Sequence, residues 1–344
     1  MRVMSAVLAL MMAVPGLAED DMLIIAHRGA SGERPEHTLA SYERAIDQGA
    51  DYVEPDLVVT SDGVLIARHE NEISETTDVA SRQEFADRKR SKTIDGQLIT
   101  GWFAEDFTLA ELKTLRARER LPAIRPANAR FDGLYDVPTF AEIVKLVRAK
   151  EAETGRRIGV YPELKHPNFL LQEAGIDIVD LLVIALRDAG YTSADDPVFV
   201  QCFEVEPLRR LNQRIELPLV QLIAFDGGPA DAPNMRYADM TTPAGLADIA
   251  AYADAIGVDT RHVLSGDLQP TGLVEAAHGV GLQVHGWTLR KENVFLPTAL
   301  RSSGGDGARG DYEAVWNALA EAGLDGVFTD DPVLAVHAKR ADTM

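Results

Sequence analysis

The feature that most constrains this chain is a repeated alternation of short apolar runs with stretches of helical spacing. The runs begin at Leu23 and Tyr52 and recur at Ile158–Leu164, Val198–Cys202, Leu217–Ala224, Ala253–Val258, Leu282–Trp287 and Gly326–Phe328. Helical spacing falls over Thr38–Gln48, Ile176–Ala189, Pro243–Tyr252, Thr271–Gly279 and Asp311–Gly323. Repeated strand–helix units predict parallel strands with helices outside. Eight units over roughly 250 residues fit an α/β fold of the (β/α)₈ TIM-barrel type better than an open doubly wound sheet. No Gly-x-Gly-x-x-Gly follows the first run, which weakens a dinucleotide-binding reading.

The second run turns at Ser61-Asp62-Gly63 into Val64-Leu65-Ile66-Ala67, which predicts a hairpin. Residues from about 71 to 136 carry no clear barrel strand and read as a small insertion after that hairpin, not as a second domain. Two capping-box patterns between the hairpin and Ile158 predict helix starts, Thr108-x-x-Glu111 in the insertion and Thr139-x-x-Glu142 at the barrel's own helix. The clusters Arg88-Lys89-Arg90 and Arg116–Arg120 are interleaved with acids and read as a solvated face.

Met1–Ala18 has a basic start, an apolar stretch too short to span a bilayer, and small residues before a cut after Ala18. It predicts a signal peptide, leaving residues 19–344 as an exported, periplasmic, soluble protein. No cysteine lies near the cut to carry a lipid. The formal charge is −20, from 34 Lys+Arg against 54 Asp+Glu. That balance argues against nucleic acid and against anionic membranes, both of which reward a basic face. Cys202 is the single cysteine, so no internal disulfide is possible; it reads as a small buried residue.

Ionisable residues gather where strands should end. The first run ends in His27-Arg28-Gly29, and the second contains Glu54 and Asp56, whose i, i+2 spacing puts both on one face of a strand. The hairpin returns at Arg68-His69-Glu70, and Glu163 with Lys165 closes the Ile158 run. Each piece has a plainer reading: a hydrogen-bonded structural histidine, carboxylates facing solvent, a Glu163–Lys165 ion pair. Together they point to the C-terminal ends of barrel strands, where active sites of this fold gather. Same-facing buried carboxylates need a partner. A divalent cation is the economical one, and an all-oxygen set favours Ca²⁺ or Mg²⁺ over zinc.

The chain resembles the glycerophosphodiester phosphodiesterase family, in particular its exported bacterial branch. The resemblance lies in His27-Arg28-Gly29-Ala30-Ser31-Gly32 with Pro35-Glu36-His37-Thr38, in Glu54-x-Asp56-Leu57, and in Asp62-Gly63 and His69. It continues through Tyr161-Pro162-Glu163-Leu164-Lys165, Gln201-Cys202-Phe203, Gly286-Trp287-Thr288 and Asp325-Gly326-Val327-Phe328-Thr329-Asp330. It implies a (β/α)₈ barrel with an insertion after the second strand's hairpin. It further implies Glu54, Asp56 and Glu163 as ligands of one divalent cation, Ca²⁺ ahead of Mg²⁺. His27 and His69 would form the general acid–base pair, Arg28 and Lys165 would contact phosphate, and Trp287 would line a glycerol pocket. The implied reaction is hydrolysis of glycerophosphodiesters, such as glycerophosphocholine and glycerophosphoethanolamine, to an alcohol and sn-glycerol 3-phosphate. One departure is Glu70, where the family usually has Asp.

Two other readings remain beside it: a lysophospholipase D-like phosphodiesterase, and a non-catalytic exported binding protein. The first needs an apolar entry or a membrane face, for which 6% aromatic content and strong acidity offer no evident anchor. The second would be expected to have lost His27 or His69. His37 reads as ordering its loop, Gln201 as a weaker site candidate, and Ser302–Gly310 as a mobile loop near the mouth of the site.

Overall fold

The computed structural model describes residues 22–342; the leader expected over Met1–Ala18 lies outside the described residues. The chain opens with β1 (Leu23–His27), α1 (Leu39–Gln48), β2 (Tyr52–Glu54), β3 (Asp56–Val59) and β4 (Leu65–Ala67). A hairpin, β5 (Arg90–Ile94) and β6 (Gln97–Gly101), follows before α2 (Phe140–Thr154). Then come β7 (Gly159–Val160), β8 (Glu163–Leu164), α3 (Ile178–Asp188), β9 (Val200–Cys202), α4 (Val205–Asn212) and β10 (Leu219–Ile223). The chain continues with α5 (Pro243–Ile249), β11 (Ala255–Asp259), α6 (Leu273–His278), β12 (Gln283–Leu289), α7 (Tyr312–Glu321), β13 (Gly326–Thr329) and α8 (Pro332–Asp342).

Two prolines explain why the eight expected strands appear in more pieces. Pro55 separates β2 from β3 and Pro162 separates β7 from β8, because proline donates nothing to a ladder. The carbonyls of both still accept, from Glu163 N at 3.0 Å and Gln201 N at 3.0 Å. Taking each broken pair as one strand, the neighbours run β1, β2/β3, β7/β8, β9, β10, β11, β12, β13 and back to β1, all parallel. The chain is a closed (β/α)₈ barrel. β4 turns back antiparallel on β3 through Gly63 at φ 78°, the turn read from Asp62-Gly63.

The helices begin where the sequence supplies caps. Thr38 accepts from Ser41 N at α1, and Gly49 ends that helix in the left-handed conformation. Both capping boxes form, at Thr108/Glu111 and at Thr139/Glu142. Inside the barrel, Ile25, Tyr161, Phe199, Val220, Ala255 and Phe328 pack together. The buried His285 joins them, its Nδ1 2.6 Å from the Tyr161 hydroxyl.

Between β4 and α2 the chain builds a layer on its own apolar cluster, including Ile73, Phe85, Trp102, Phe107 and Leu115. Lys89, Arg90 and Arg118 are exposed, as expected of a solvated face, whereas Arg120 departs from it. Arg88 bonds Glu111 at 3.0 Å, and Arg120 Nε donates to the buried Glu36 at 2.9 Å. The layer lies against the loop that follows β1, so its cations find carboxylates there. Ser302–Gly310 also differs from a loose loop: the Asn293 amide gathers the carbonyls of Ser302, Gly304 and Gly305 at 3.1–3.2 Å. It does not line the site cavity.

Candidate active site

Strand register brings the candidate residues to one level. His27 on β1 pairs with Glu54, Asp56 pairs with Glu163, and Glu163 pairs with Gln201. Carboxylate oxygens of Glu54, Asp56 and Glu163, all buried, lie within 4.8 Å of one another. Gln201 Nε2 donates to Glu54 Oε1 at 3.1 Å, and Arg28 N to its Oε2 at 2.8 Å. His37, which the sequence suggested only as a loop organiser, bonds Asp56 Oδ2 through Nε2 at 3.0 Å and the Tyr42 hydroxyl through Nδ1 at 2.7 Å.

Three carboxylates this close resist ionising together. Burial, then Asp56 and Glu163, pushes the Glu54 carboxyl well up. Burial takes Glu163 to about 8 against the pull of Lys165, whereas His37 and Arg28 hold Asp56 well below the usual range. Asp56 Oδ1 is buried with no hydrogen-bond partner among the described residues. An orphaned carboxylate oxygen inside an all-oxygen set fits a hard divalent cation, which would relieve both the repulsion and the unmatched lone pairs.

Around the triad stand the cations. Arg28 sits at φ 60° and forks onto Glu36 at 3.1 and 3.2 Å, with Nε 3.3 Å from Asp56 Oδ2. Lys165 Nζ is 3.0 Å from Glu163. Gly29, at φ 84°, makes this turn possible: a Cβ there would stand 2.6 Å from the Ser41 carbonyl carbon.

The two histidines differ. His27 Nδ1 lies 2.6 Å from Asp330 Oδ1. The other Asp330 oxygen accepts from Arg125 at 2.6 Å and Arg290 at 2.9 Å. Despite burial, Arg290, Arg125 and His27 keep Asp330 well below the usual carboxylate range. An ionised carboxylate only accepts, so Nδ1 carries the proton and Nε2 keeps its lone pair for the cavity. Burial, followed by Arg28, lowers His27 to about 4, so it is neutral at neutral pH. His69 also lines the cavity, and burial with Arg28 and Lys165 lowers it well below its ordinary value. Its neighbour Glu70 stands 3.5 Å from His69 Nδ1, 3.9 Å from Lys165 and 2.7 Å from His166.

The cavity holds about 340 Å³ and extends from these groups to Phe203, Trp287 and Phe295. Trp287 Nε1 donates to Gly257 O at 3.0 Å, and its ring meets Phe203 edge-on at 5.8 Å. Seven of the eight residues proposed from the sequence line this cavity, and the eighth, Asp56, is buried beside Glu54 and Glu163. Cys202 is buried, with Sγ 3.4 Å from Leu164 O, and burial pushes its thiol up. Sequence reasoning missed the roles of Asp330, Arg290 and Arg125. Asp330 ends the Asp325–Asp330 motif, but nothing local to it encodes a partner 303 residues away.

Residues 27–334 match the model of the glycerophosphoryl diester phosphodiesterase family. The chain belongs to that family. A glycerophosphodiester phosphodiesterase of Arabidopsis thaliana is 37% identical over 89% of this chain and 82% of its own. One of Haemophilus influenzae is 31% identical over 91% and 88%. Among solved structures, an Oleispira antarctica phosphodiesterase in complex with its product sn-glycerol-3-phosphate covers 92% of this chain and 96% of its own, at TM-score 0.61 and 20% identity. A glycerophosphodiester phosphodiesterase from Agrobacterium tumefaciens covers 92% and 100%, at TM-score 0.59 and 21% identity. These structures share the barrel, and family membership makes the chain a phosphodiesterase.

Proposed function

We propose that this protein hydrolyses glycerophosphodiesters to an alcohol and sn-glycerol 3-phosphate in a cation-dependent reaction, with His27 and His69 as the proton-transfer pair. The observation that carries the reading is His27, fixed through Nδ1 by Asp330 beside a three-carboxylate site flanked by Arg28 and Lys165. Arg28 and Lys165 bind the phosphodiester anion and offset the charge that grows on its oxygens in the transition state. His27 Nε2 takes a proton from the attacking oxygen, and the Asp330 carboxylate stabilises the imidazolium that results. His69 protonates the departing alcohol. Arg28 and Lys165 hold His69 down in the free protein; an anion between them acts in the opposite sense and favours its protonated form. Phe203 and Trp287 offer apolar walls to the glycerol carbons. Glu54, Asp56 and Glu163 would hold one hard cation, Ca²⁺ preferred to Mg²⁺, and when bound it supplies positive charge against the phosphoryl oxygens.

The Oleispira neighbour, holding sn-glycerol-3-phosphate, supports this product. The test is release of glycerol 3-phosphate from glycerophosphocholine by purified protein after exhaustive chelation, with Ca²⁺ and Mg²⁺ restored separately. Turnover restored by a cation and lost in both His27→Ala and His69→Ala is expected. Full turnover after chelation overturns the cation site, and full turnover in either variant overturns that histidine's role. The leader over Met1–Ala18 assigns the reaction outside the cytoplasm; N-terminal sequencing of protein from the periplasmic fraction checks this.

A further inference from the structure

A second cavity, of about 190 Å³, adjoins the first and shares Glu163, Lys165 and Phe203 with it. Phe203 stands between the two, meeting Trp287 at 5.8 Å on one side and Tyr237 at 6.2 Å on the other. The second cavity also lies beside the His69 end, because its lining residue His166 bonds Glu70.

Its chemistry centres on Glu204, which lines it, is 3% exposed, and has an Oε1 atom with no hydrogen-bond partner among the described residues. Glu204 occupies the N-cap position of α4, where a side chain ordinarily accepts from the helix's own N–H groups. That task has passed to Asp231, which accepts from Val205 N at 3.1 Å and Glu206 N at 2.7 Å. Among the described residues the Glu204 carboxyl accepts only from Asn168 N, at 2.9 Å through Oε2. The nearby cations are already matched: Lys165 by Glu163, and His166 by both Asp95 and Glu70. A buried carboxyl with one oxygen unmatched, in a cavity also lined by the rings of Phe203 and Tyr237 and with its cationic neighbours neutralised, suits a small organic cation.

We infer that this cavity receives the headgroup of the departing alcohol and selects ammonium-bearing alcohols, choline or ethanolamine, with Glu204 as the selecting residue. The inference rests on the proposed hydrolysis: the phosphate lies at Arg28 and Lys165, the glycerol side points toward Trp287, and the other ester arm leaves past Phe203. Burial takes the Glu204 carboxyl to about 8, and an ammonium group beside it favours the ionised form.

Two measurements on the full chain test this. In the first, kcat/KM for glycerophosphocholine is compared with that for glycerophosphoglycerol, in wild type and in Glu204→Gln. The expected ratio favours choline by about tenfold in wild type and collapses toward unity in the variant. Turnover of both substrates at equal kcat/KM in wild type overturns the inference while leaving the hydrolytic reading intact. The second is calorimetric binding of free choline against its uncharged carbon isostere, in which a quaternary carbon replaces the nitrogen. Wild type is expected to bind choline about tenfold more tightly. Equal affinity, or no choline binding, overturns the inference whether or not turnover is seen and whether or not the variant folds.

Discussion

Asp330→Asn separates the orientation of His27 from every other part of the site. The substitution keeps shape and removes one charge. In the native protein one carboxylate oxygen accepts from His27 Nδ1 at 2.6 Å and the other from two guanidinium groups at 2.6 and 2.9 Å. Those guanidiniums demand an acceptor, so the carbonyl oxygen of the substituted amide turns to Arg125 and Arg290 and its NH₂ turns to His27. Nδ1 then becomes the acceptor, the proton moves to Nε2, and the base loses the lone pair it presents to the cavity. Loss of a correctly held base costs about 10³–10⁴ in kcat. The charge loss also leaves two guanidiniums short of a partner. Arg125 retains Glu292 at 2.7 and 3.3 Å, so the stability cost falls at the low end for a broken buried pair, about 3 kcal/mol. The pH signature has a definite sign. Asp330 is depressed in the folded protein, so it stabilises above the unfolded carboxyl value near ~3.9, and that contribution is lost as pH falls through the lower folded value. The variant lacks this acid-side loss. The assay is glycerol 3-phosphate release together with urea unfolding, in a double-mutant cycle with His27→Ala. If Asp330 acts on the chemistry only through His27, Asp330→Asn lowers kcat no further in the His27→Ala background. Equal losses in both backgrounds would refute the reasoning.

Glu54→Gln removes repulsion from the carboxylate triad, so it should raise the melting temperature of the chelated protein while abolishing the rise that saturating Ca²⁺ gives wild type. That rise corresponds to about 2.7 kcal/mol at a hundredfold excess over Kd, and a Ca²⁺ response equal to wild type in the variant would contradict the ligand set. His166 is raised to about 9 by Asp95 and Glu70 against the effect of burial. Its contribution is complete below the unfolded imidazole value near ~6.5 and is lost as pH rises through the folded one. Urea unfolding should therefore show wild type losing about 1–3 kcal/mol more than His166→Asn between pH ~6.5 and ~9.5. Gly29→Ala places a methyl 2.6 Å from the Ser41 carbonyl carbon at φ 84°. It should destabilise by about 2–4 kcal/mol and impair turnover through the displaced Arg28, checked by melting and kinetics.

The barrel was legible because each of its strands is a short apolar run bounded by cap or turn residues, signals carried by neighbours in sequence. Asp62-Gly63 and the two capping boxes act within a few residues of themselves and form as read, and Thr38 and Gly49 cap α1 by equally local bonds. Glu54, Asp56 and Glu163 were legible for a related reason. Once strands are parallel and in a barrel, acids near strand ends must lie on one rim. The broken strands at Pro55 and Pro162 were less so, because an alternating apolar pattern does not show that a ladder bond is missing.

What sequence reasoning could not supply is the clamp on His27, and the cause is topological. Asp330 follows β13, which neighbours β1 only because the barrel closes; Arg290 follows β12, and Arg125 belongs to the layer inserted after β4. Three distant segments meet on one carboxylate, and no local periodicity encodes that meeting. The same geometry explains how so acidic a chain can handle an anion. Arg28, Arg120, Arg125, Arg290 and Lys165 all gather around this rim, and partial burial keeps their fields from being screened as surface charge is. Net charge describes the protein's outer surface and what adheres to it. The potential that a phosphodiester meets is set by these five cations and the carboxylates that hold them in place.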